Sequence, residues 1–449
     1  MKKQPYLYLI ALIVSILSSC NKDDNDLAQS VSLEIQIAAK EAEFSFDVSK
    51  AVVKISSNTT SASFSTTPNA TDKAIFESLT PGTYDVSTTL VVDAATYTSV
   101  TGITTDEDVY FNGSAEKLQV FENTATNLDL LVGRVGNWVF KQIYYAGSHA
   151  QRGASFRDTF FEIYNNSNQI MYADSLYFGQ VAGKNNNRAE DYTQSNFQYD
   201  WSKSVGMVTD PGLNANTDYI YAHNIFMIPS DGTGKKYPVN PGESIIIATN
   251  AINHAAPYVD NDGGTVSVQD PSLTVDLSKA DFETYLAVYL GAPYKYDIDN
   301  TNVPDVDVIY AAGHNDMILD ANGRDAFYLY KAAADQVPAE ELPLYASPDV
   351  KEITATSKKF KQIPVHYIED AVEVQNPVEA SRVPKRLPIS LDAVRTHVPE
   401  GRYSSQSLIR KTAKIVNGRR ILQDTNNSSE DFGYFERPNV SKSASSFLD

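Results

Sequence analysis

The chain of 449 residues has a single cysteine, Cys20, so it cannot close an intramolecular disulfide and must be stabilised by buried apolar surface. Basic residues are scarce, 37 against 56 acidic ones, which gives a formal net charge of −19. Such a charge disfavours phosphate backbones and anionic membrane surfaces, so we expect no nucleic-acid partner. Beyond residue 20, no apolar run approaches the roughly 20 residues that a membrane-spanning helix needs.

Local signatures of common enzymes are also missing. The sequence contains no Gly-x-Ser-x-Gly, no His-Glu-x-x-His, no Gly-x-Gly-x-x-Gly and no phosphate-binding loop. The six histidines lie tens of residues apart, and nothing in the sequence groups them into a metal site. We therefore expect a protein that is not an enzyme and needs no cofactor, with calcium as the one cation considered below.

The first twenty residues have the order of a lipoprotein signal. Lys2 and Lys3 precede an apolar stretch, residues 6–17, and then Leu17-Ser18-Ser19-Cys20, which resembles the lipobox of bacterial lipoproteins. This predicts a signal peptide over 1–19, lipidation of Cys20 and a flexible tether over 20–30. The alternative is a transmembrane anchor with an incidental cysteine, for which the apolar stretch is too short.

After Cys20 and Asn21 come Lys22, Asp23 and Asp24. They resemble the acidic export signal of Bacteroidota lipoproteins that are displayed outside the cell. The resemblance implies an outer-membrane protein that is anchored by lipid and faces the exterior.

From Val31 onward the chain alternates apolar and polar residues in short runs, which is typical of half-buried strands. Leu79-Thr80-Pro81-Gly82-Thr83-Tyr84 places a Pro-Gly turn between two such strands, and we expect a positive φ at Gly82. This segment resembles the carboxypeptidase-regulatory, prealbumin-like β-sandwiches. Residues 31–134 are interpreted as such a domain.

A second resemblance covers residues 137–445. Strand-like segments resemble a lamin-tail domain: 160–167, 224–229, 241–248, 318–330, 368–372, and Ser407-Leu408-Ile409-Arg410 with the Asn/Asp-rich 424–432. The fold class predicted is all-β, two β-sandwiches in tandem, the second lamin-tail or Ig-like with insertions near 183–218, 250–305 and 376–400. One helix is predicted in an insertion, capped by Ser278 with Phe282, Tyr285, Leu286 and Tyr289 as its apolar stripe.

Candidate contact residues come from the aromatic side chains near Asn and Asp in or beside the insertions, because long loops on a rigid frame concentrate recognition residues. The set is Tyr192, Tyr199, Trp201, Tyr219, Tyr221, Tyr258, Tyr294 and Tyr296. Strand packing is the alternative explanation for part of the set. Two acidic loops suggest calcium through Asp260, Asp262, Asp297 and Asp299, although Asp, Asn and Gly are also ordinary turn residues.

The whole arrangement is similar to a family of uncharacterised Bacteroidota surface lipoproteins, whose members tend to be encoded near TonB-dependent receptors. The resemblance implies a non-enzymatic binding or accessory subunit of a TonB-dependent uptake system, with the receptor as partner. An independent adhesin or glycan-binding lipoprotein is the first alternative. A hydrolase that works with a pair of carboxylates is the second.

Overall fold

The computed structural model describes residues 30–41, 44–60, 62–102, 105, 108–133, 136–186 and 190–449. The predicted all-β class is confirmed, since strands dominate and the α-helices are short. None of the helices in these ranges is long and apolar enough to cross a membrane. The α-helices are α1 (Ala94–Thr101), α2 (Ala287–Leu290) and α3 (Ser428–Asp431). Single 3-10 turns occur at Glu190–Tyr192, Trp201–Lys203, Pro271–Leu273, Val365–Tyr367, Glu379–Ser381 and Ala444–Ser446.

The first domain, residues 30–133, is one sheet of eight strands that folds over on itself. The strands are β1 (Val31–Glu41), β2 (Phe44–Phe46), β3 (Val52–Ser57), β4 (Ser63–Thr66), β5 (Lys73–Leu79), β6 (Gly82–Val92), β7 (Val109–Val120) and β8 (Thr124–Gly133). Their order is β2-β1-β8-β7-β6-β3-β4, and β5 also pairs with β1. Strand β8 joins the two layers, because its first seven residues run parallel to β1 and its last three pair antiparallel with β7.

Buried and more exposed residues alternate along β1 and β6, and the buried ones form part of the core of this domain. Every second residue of each strand is buried, which matches the period of two read from the sequence. The Pro-Gly segment lies between β5 and β6 as predicted, and the hydroxyl of the buried Tyr84 donates to the Thr80 carbonyl at 2.7 Å. The predicted positive φ at Gly82 is wrong. Gly82 is the first residue of β6 and pairs with Val120, so its backbone is extended, and the positive φ occurs at Ser78 instead.

The second domain, residues 136–449, contains three main sheets. The six-stranded sheet has the order β19-β16-β10-β9-β25-β28. Its strands are β9 (Trp138–Tyr144), β10 (Phe160–Asn165), β16 (Ser244–Ala248), β19 (Phe282–Glu283), β25 (Ser407–Arg410) and β28 (Phe432–Phe435). The five-stranded sheet has the order β20-β14-β12-β21-β24. Its strands are β12 (Leu176–Gln180), β14 (Asn224–Met227), β20 (Asp307–Ala311), β21 (Asp325–Lys331) and β24 (Asp370–Val374).

The third sheet is β13-β23-β22, formed by β13 (Tyr219–Ala222), β22 (Leu344–Ala346) and β23 (Lys359–Pro364). Three two-stranded pairs complete the domain: β11 (Met171–Tyr172) with β15 (Pro238–Val239), β17 (Tyr258–Val259) with β18 (Thr265–Val266), and β26 (Thr412–Val416) with β27 (Arg419–Leu422).

The central strands of the second domain are buried on both faces. One apolar core, which includes Phe161, Phe178 and Phe327, fills the space between the six- and five-stranded sheets. A second core, which includes Ile220 and Tyr328, joins the five-stranded sheet to the three-stranded sheet. Sandwich strands with one solvated face would alternate in burial, but all seven residues of β9 are buried. The second domain is therefore thicker than a two-layer sandwich.

The insertions supply this extra covering. Segment 183–218 packs on the three-stranded sheet in a cluster that includes Trp201 and Tyr221. Segment 250–305 covers the outer face of the six-stranded sheet through residues such as Val275 and Leu277. The insertions are thus packed layers of the fold.

The predicted helix that begins at Ser278 is wrong. Phe282 and Glu283 form β19, which runs parallel to β16, and the helix begins only at Ala287. The Asp281 carboxylate accepts from the backbone N–H of Ile246, which ties this segment to the sheet edge. Phe282 and Leu286 are buried, as the predicted apolar stripe implied. They belong to a strand and to the start of a short helix, and no continuous helix connects them.

The two domains meet through buried polar contacts from the third insertion. The Arg395 guanidinium contacts Glu116 and lies 2.7 Å from Asp85, and the Ser114 hydroxyl donates to the Ala393 carbonyl. Because Arg395 is buried, dissolved salt weakens its interactions with the two carboxylates less than it would at the surface.

Candidate functional site

Several polar side chains converge at one end of the five-stranded sheet. Strand β12 is antiparallel to both β14 and β21, so the end of β12 and the starts of the other two meet at the same edge. Gln180 ends β12, His223 precedes β14 and Asp325 begins β21. Chain connectivity thus brings side chains together that are distant in the sequence.

These side chains line a cavity of about 390 Å³, which we call the end pocket. Its lining combines apolar and polar residues: Phe156, Gln180, Gly183, Asn185, His223, His314, Leu319, Asp320, Asp325, Phe360, Arg386 and Tyr403 are among them. This size, and a largely apolar wall with a few polar groups, is typical of small-molecule sites. No serine, threonine or cysteine occurs among the described lining residues.

One wall of the end pocket is a hydrogen-bonded polar network. Arg386 donates from Nη1 to Asp325 at 3.1 Å and from Nη2 to Asn185, and Gln180 donates to the second oxygen of Asp325 at 2.9 Å. Burial raises the pKa of Asp325 to about 6, against the opposing attraction of the Arg386 charge. For Asp320, burial also disfavours ionisation, but hydrogen bonds from Arg324 and Asn322 outweigh it and lower the pKa.

Another wall holds two histidines in direct contact. Nε2 of His223 and Nε2 of His314 are 2.7 Å apart, and the two ring centroids are 4.2 Å apart. Burial lowers the pKa of His223 to about 3, with a contribution from His314, and burial also lowers the pKa of His314. Burial thus favours the neutral form of both rings.

Backbone contacts fix His223 more firmly than His314. The N–H of His223 donates to the Gln180 carbonyl at 2.8 Å, and its carbonyl accepts from Ala312 at 3.0 Å. His314 follows Gly313, whose φ of 75° makes the turn after β20. The pair thus joins a strand junction to a loop.

Four of the predicted contact residues do not lie on a surface. Tyr199, Trp201, Tyr219 and Tyr221 are buried, and the Trp201 ring stacks on Tyr221 with centroids 3.8 Å apart. A ring packed in this way cannot contact a partner from outside. The prediction of a recognition role for these four is wrong, because segment 183–218 buries its aromatic side chains against the three-stranded sheet.

The other four candidates, Tyr192, Tyr258, Tyr294 and Tyr296, are half-buried. Tyr192 packs against the Trp201 cluster. The rings of Tyr294 and Tyr296 meet edge to face at 6.0 Å, and none of the four lines the end pocket. A contact role for them stays a prediction. Cys20, Lys22, Asp23 and Asp24 lie outside the described residues.

The two loops predicted to bind calcium contact each other through Asn261, whose Nδ2 donates to the carbonyls of Tyr294 and Asp297, both at 2.7 Å. Asp260 accepts backbone N–H groups of Asp262 and Gly264, and the Lys295 ammonium lies 3.4 Å from Asp260 and 3.6 Å from Asp262. A lysine therefore provides the positive charge at this loop. Asp297 is buried and accepts the N–H of Leu286 at 2.8 Å. A calcium role for either loop stays a prediction.

Asp299 instead lies near Glu283 and Asp305. One ligand oxygen from each lies within 4.8 Å of the others, a spacing that could hold a cation. Burial raises the pKa of Glu283 to about 7, and burial together with Asp299 raises that of Asp305 to about 6. Both Glu283 oxygens already accept backbone N–H groups, from Ala251 and Asn300.

Sequence reasoning missed the end pocket. Its histidines are 91 residues apart, and no local spacing links them to Arg386. The only sequence signal was that its residues fall at strand ends and in insertions, where sites concentrate.

Comparisons with known proteins agree with this fold. A family model described as "Protein of unknown function (DUF4876)" matches residues 240–439. The crystal structure of a DUF4876 family protein from Bacteroides thetaiotaomicron covers 93% of this chain and 98% of its own, with 22% identity and a TM-score of 0.53. The chain is similar to the DUF4876 proteins. At this identity, the likeness to the solved DUF4876 protein shows the fold alone.

A crystal structure described as a "putative adhesin" from Bacteroides ovatus also aligns, over 67% of this chain and 98% of its own. Its identity is 11% and its TM-score 0.16, too low to indicate a shared fold. No curated protein matches the chain. The DUF4876 match includes His314, Asp325 and Arg386 of the end pocket, and His223 precedes it.

Proposed function

We propose that the chain is a cell-surface lipoprotein that binds a small ligand in the end pocket and acts as an accessory subunit of a TonB-dependent outer-membrane uptake system. The observation that carries the binding role is the end pocket itself, a preformed cavity with a polar network on one wall, the histidine pair on another, and apolar side chains such as Leu319 and Phe360 in the rest of its lining. The surface location and the receptor partner are supported by the N-terminal sequence and by the family resemblance.

The pocket chemistry supports binding over turnover. The carboxylates at its polar wall are occupied: Asp325 accepts from Gln180 and Arg386, and Asp320 accepts from Arg324 and Asn322. The two histidines face each other, with no serine, threonine or cysteine beside them among the described lining residues. Groups held in this way orient a ligand and have no evident nucleophile to activate.

A pull-down from detergent-solubilised outer membranes tests the proposal, with mass spectrometry of proteins and small molecules. Asn185→Trp places a large ring at the exposed rim of the end pocket, and Ser195→Trp adds the same ring at an exposed position of the same insertion outside the pocket. We expect Ser195→Trp to retain the small molecule and the receptor, and Asn185→Trp to lose the small molecule.

Two outcomes would contradict parts of the proposal. Identical small molecules recovered with both variants would place binding elsewhere. Binding of glycans on an array that depends on the end pocket, with no receptor recovered, would favour an independent glycan-binding adhesin.

A further inference from the structure

We propose that His223 and His314 form a binding site for a divalent transition-metal ion, whose remaining coordination positions open into the end pocket. The site joins Nε2 atoms from two separate parts of the chain, at 2.7 Å from one another, in the wall of a cavity. Neutral imidazole is a preferred ligand of Zn²⁺, Cu²⁺ and Ni²⁺.

The distance between the two nitrogens is close to what one metal ion requires. Metal–imidazole bonds of about 2.0–2.1 Å place two nitrogens about 2.9 Å apart at a right angle and about 3.4 Å apart at a tetrahedral angle. The pair must therefore open by only roughly 0.2–0.7 Å. His314 can supply this movement, because it lies in a loop after Gly313, whereas backbone hydrogen bonds fix His223 on both sides.

The proton balance is simple. Each neutral ring carries one proton, and Nε2 of His223 also lies 3.2 Å from the Ala312 carbonyl. Between the two Nε2 atoms one ring proton is shared as donor; when the metal binds, this proton exchanges through solvent to Nδ1 of the same ring, so both Nε2 lone pairs face the ion and the pair releases no net proton. Two protein ligands leave the other positions to water or to donor atoms of a ligand in the cavity, as in open metal sites.

The positive charge of Lys358 near the two histidines provides a second test of metal binding. The Lys358 ammonium is close enough to contribute to the lowered pKa of both histidines, and its aliphatic chain passes Gly313. A positive charge at this position repels a bound cation. Replacing Lys358 by glutamine should therefore tighten metal binding, an effect that a purely structural histidine pair would not produce.

The experiment uses the full chain with Cys20→Ser as background, which removes the only thiol. Zn²⁺ alone is titrated by calorimetry, and Cu²⁺ alone is examined by electron paramagnetic resonance. We expect one equivalent of tight binding and a Cu²⁺ spectrum with two equatorial nitrogens. His223→Asn and His314→Asn should each weaken binding at least about tenfold. The exposed His366→Asn is the control and should leave binding unchanged.

Metal-free circular dichroism checks that the variants fold. Unchanged affinity in a folded His223→Asn or His314→Asn variant would overturn the proposal. If neither variant folds, two measurements test the proposal: the Cu²⁺ spectrum of the Cys20→Ser chain and the metal affinity of Lys358→Gln. A Cu²⁺ spectrum without two nitrogen ligands, or an affinity that Lys358→Gln does not raise, overturns the proposal. Because the probe is the metal alone, a negative result in the metal titration does not test the proposed small-ligand binding, which the pull-down tests separately.

Discussion

Arg410 is the side chain whose loss should affect the second domain most. Its guanidinium is buried, with Nη2 2.5 Å from Asp370, Nη1 3.2 Å from Asp424 and 3.6 Å from Asp431, and its Nε donates to the Phe140 carbonyl at 2.8 Å. Three buried carboxylates thus share one cation. Removing one partner of a buried ionic network leaves uncompensated charge and costs about 3–5 kcal/mol.

Arg410→Met keeps an unbranched side chain and removes the charge, so we expect a loss of about 3–5 kcal/mol in the free energy of unfolding at pH 7. Both tryptophans, Trp138 and Trp201, are buried in the second domain, so tryptophan fluorescence during urea unfolding reports on this domain. Arg437→Met, at an exposed position, is the matched control and should stay within about 0.5 kcal/mol.

The dependence on pH sharpens the test. Burial raises the pKa of Asp370 and of Asp431 to about 7 even with Arg410 present. Groups with a raised pKa bind more protons in the folded chain than in the unfolded chain, so their contribution to stability falls as pH rises from about 4 to about 7. Without Arg410 these pKa values rise further. The deficit of Arg410→Met should therefore grow between pH 5 and pH 8.

Two results would refute this reasoning. One is an Arg410→Met variant that is no less stable than Arg437→Met. The other is a deficit that stays constant from pH 5 to pH 8, which would mean that lost packing, rather than uncompensated charge, causes the destabilisation.

Four further predictions follow from the geometry. Trp201→Ala should lower the free energy of unfolding by about 3–5 kcal/mol, and a melting curve like that of the parent chain would contradict its place in the core. Asp305→Asn should stabilise the chain at pH 8 and have little effect near pH 4, because the raised pKa of Asp305 makes ionisation unfavourable in the folded chain and this cost develops between about pH 4 and about pH 6; Asp335→Asn, at an exposed position, is the control and should show no such difference. Gly323→Ala should cost more than about 1 kcal/mol, since its φ is 65° and a Cβ would lie 2.6 Å from the Gln375 carbonyl oxygen; an unchanged urea midpoint would count against this. Cys20→Ser should abolish labelling with radioactive palmitate, and label that persists would exclude lipidation at this residue.

Some of the fold could be predicted because the decisive signals are local. Alternation along Val31–Glu41 sets which face of β1 is buried, and the segment from Leu79 to Tyr84 connects two strands as expected. Arg410 and the Asp-rich segment after it stood out through the lamin-tail resemblance. The structure supplies their physical reason, since one arginine ties Asp424 and Asp431 to the sandwich.

Other features could not be read from the chain because they depend on contacts between distant segments. An aromatic residue beside Asn and Asp can be a surface contact or the core of an extra layer, and composition does not distinguish them. Trp201 was predicted to lie on a surface but lies in the core. Tyr219–Ala222 is a strand of the third sheet, and Trp201 packs on the apolar face of that sheet. The apolar stripe at Phe282 and Leu286 has a helical spacing, yet a strand and a short helix bury it.

Burial of the central strands on both faces also supports the binding role that we propose for the end pocket. Gln180, His223 and Asp325 are each held at the end of a strand whose neighbours are packed above and below. Packed interiors deform little, so we expect these three side chains to keep their spacing when a ligand binds. The insertions contribute by fixing this frame: Phe197 and Lys385 are hydrogen-bonded through their backbones, and Arg386 follows at the pocket wall. In the binding role that we propose, a few polar groups would contact the ligand, and the buried aromatic side chains of the insertions would help to hold those groups in place.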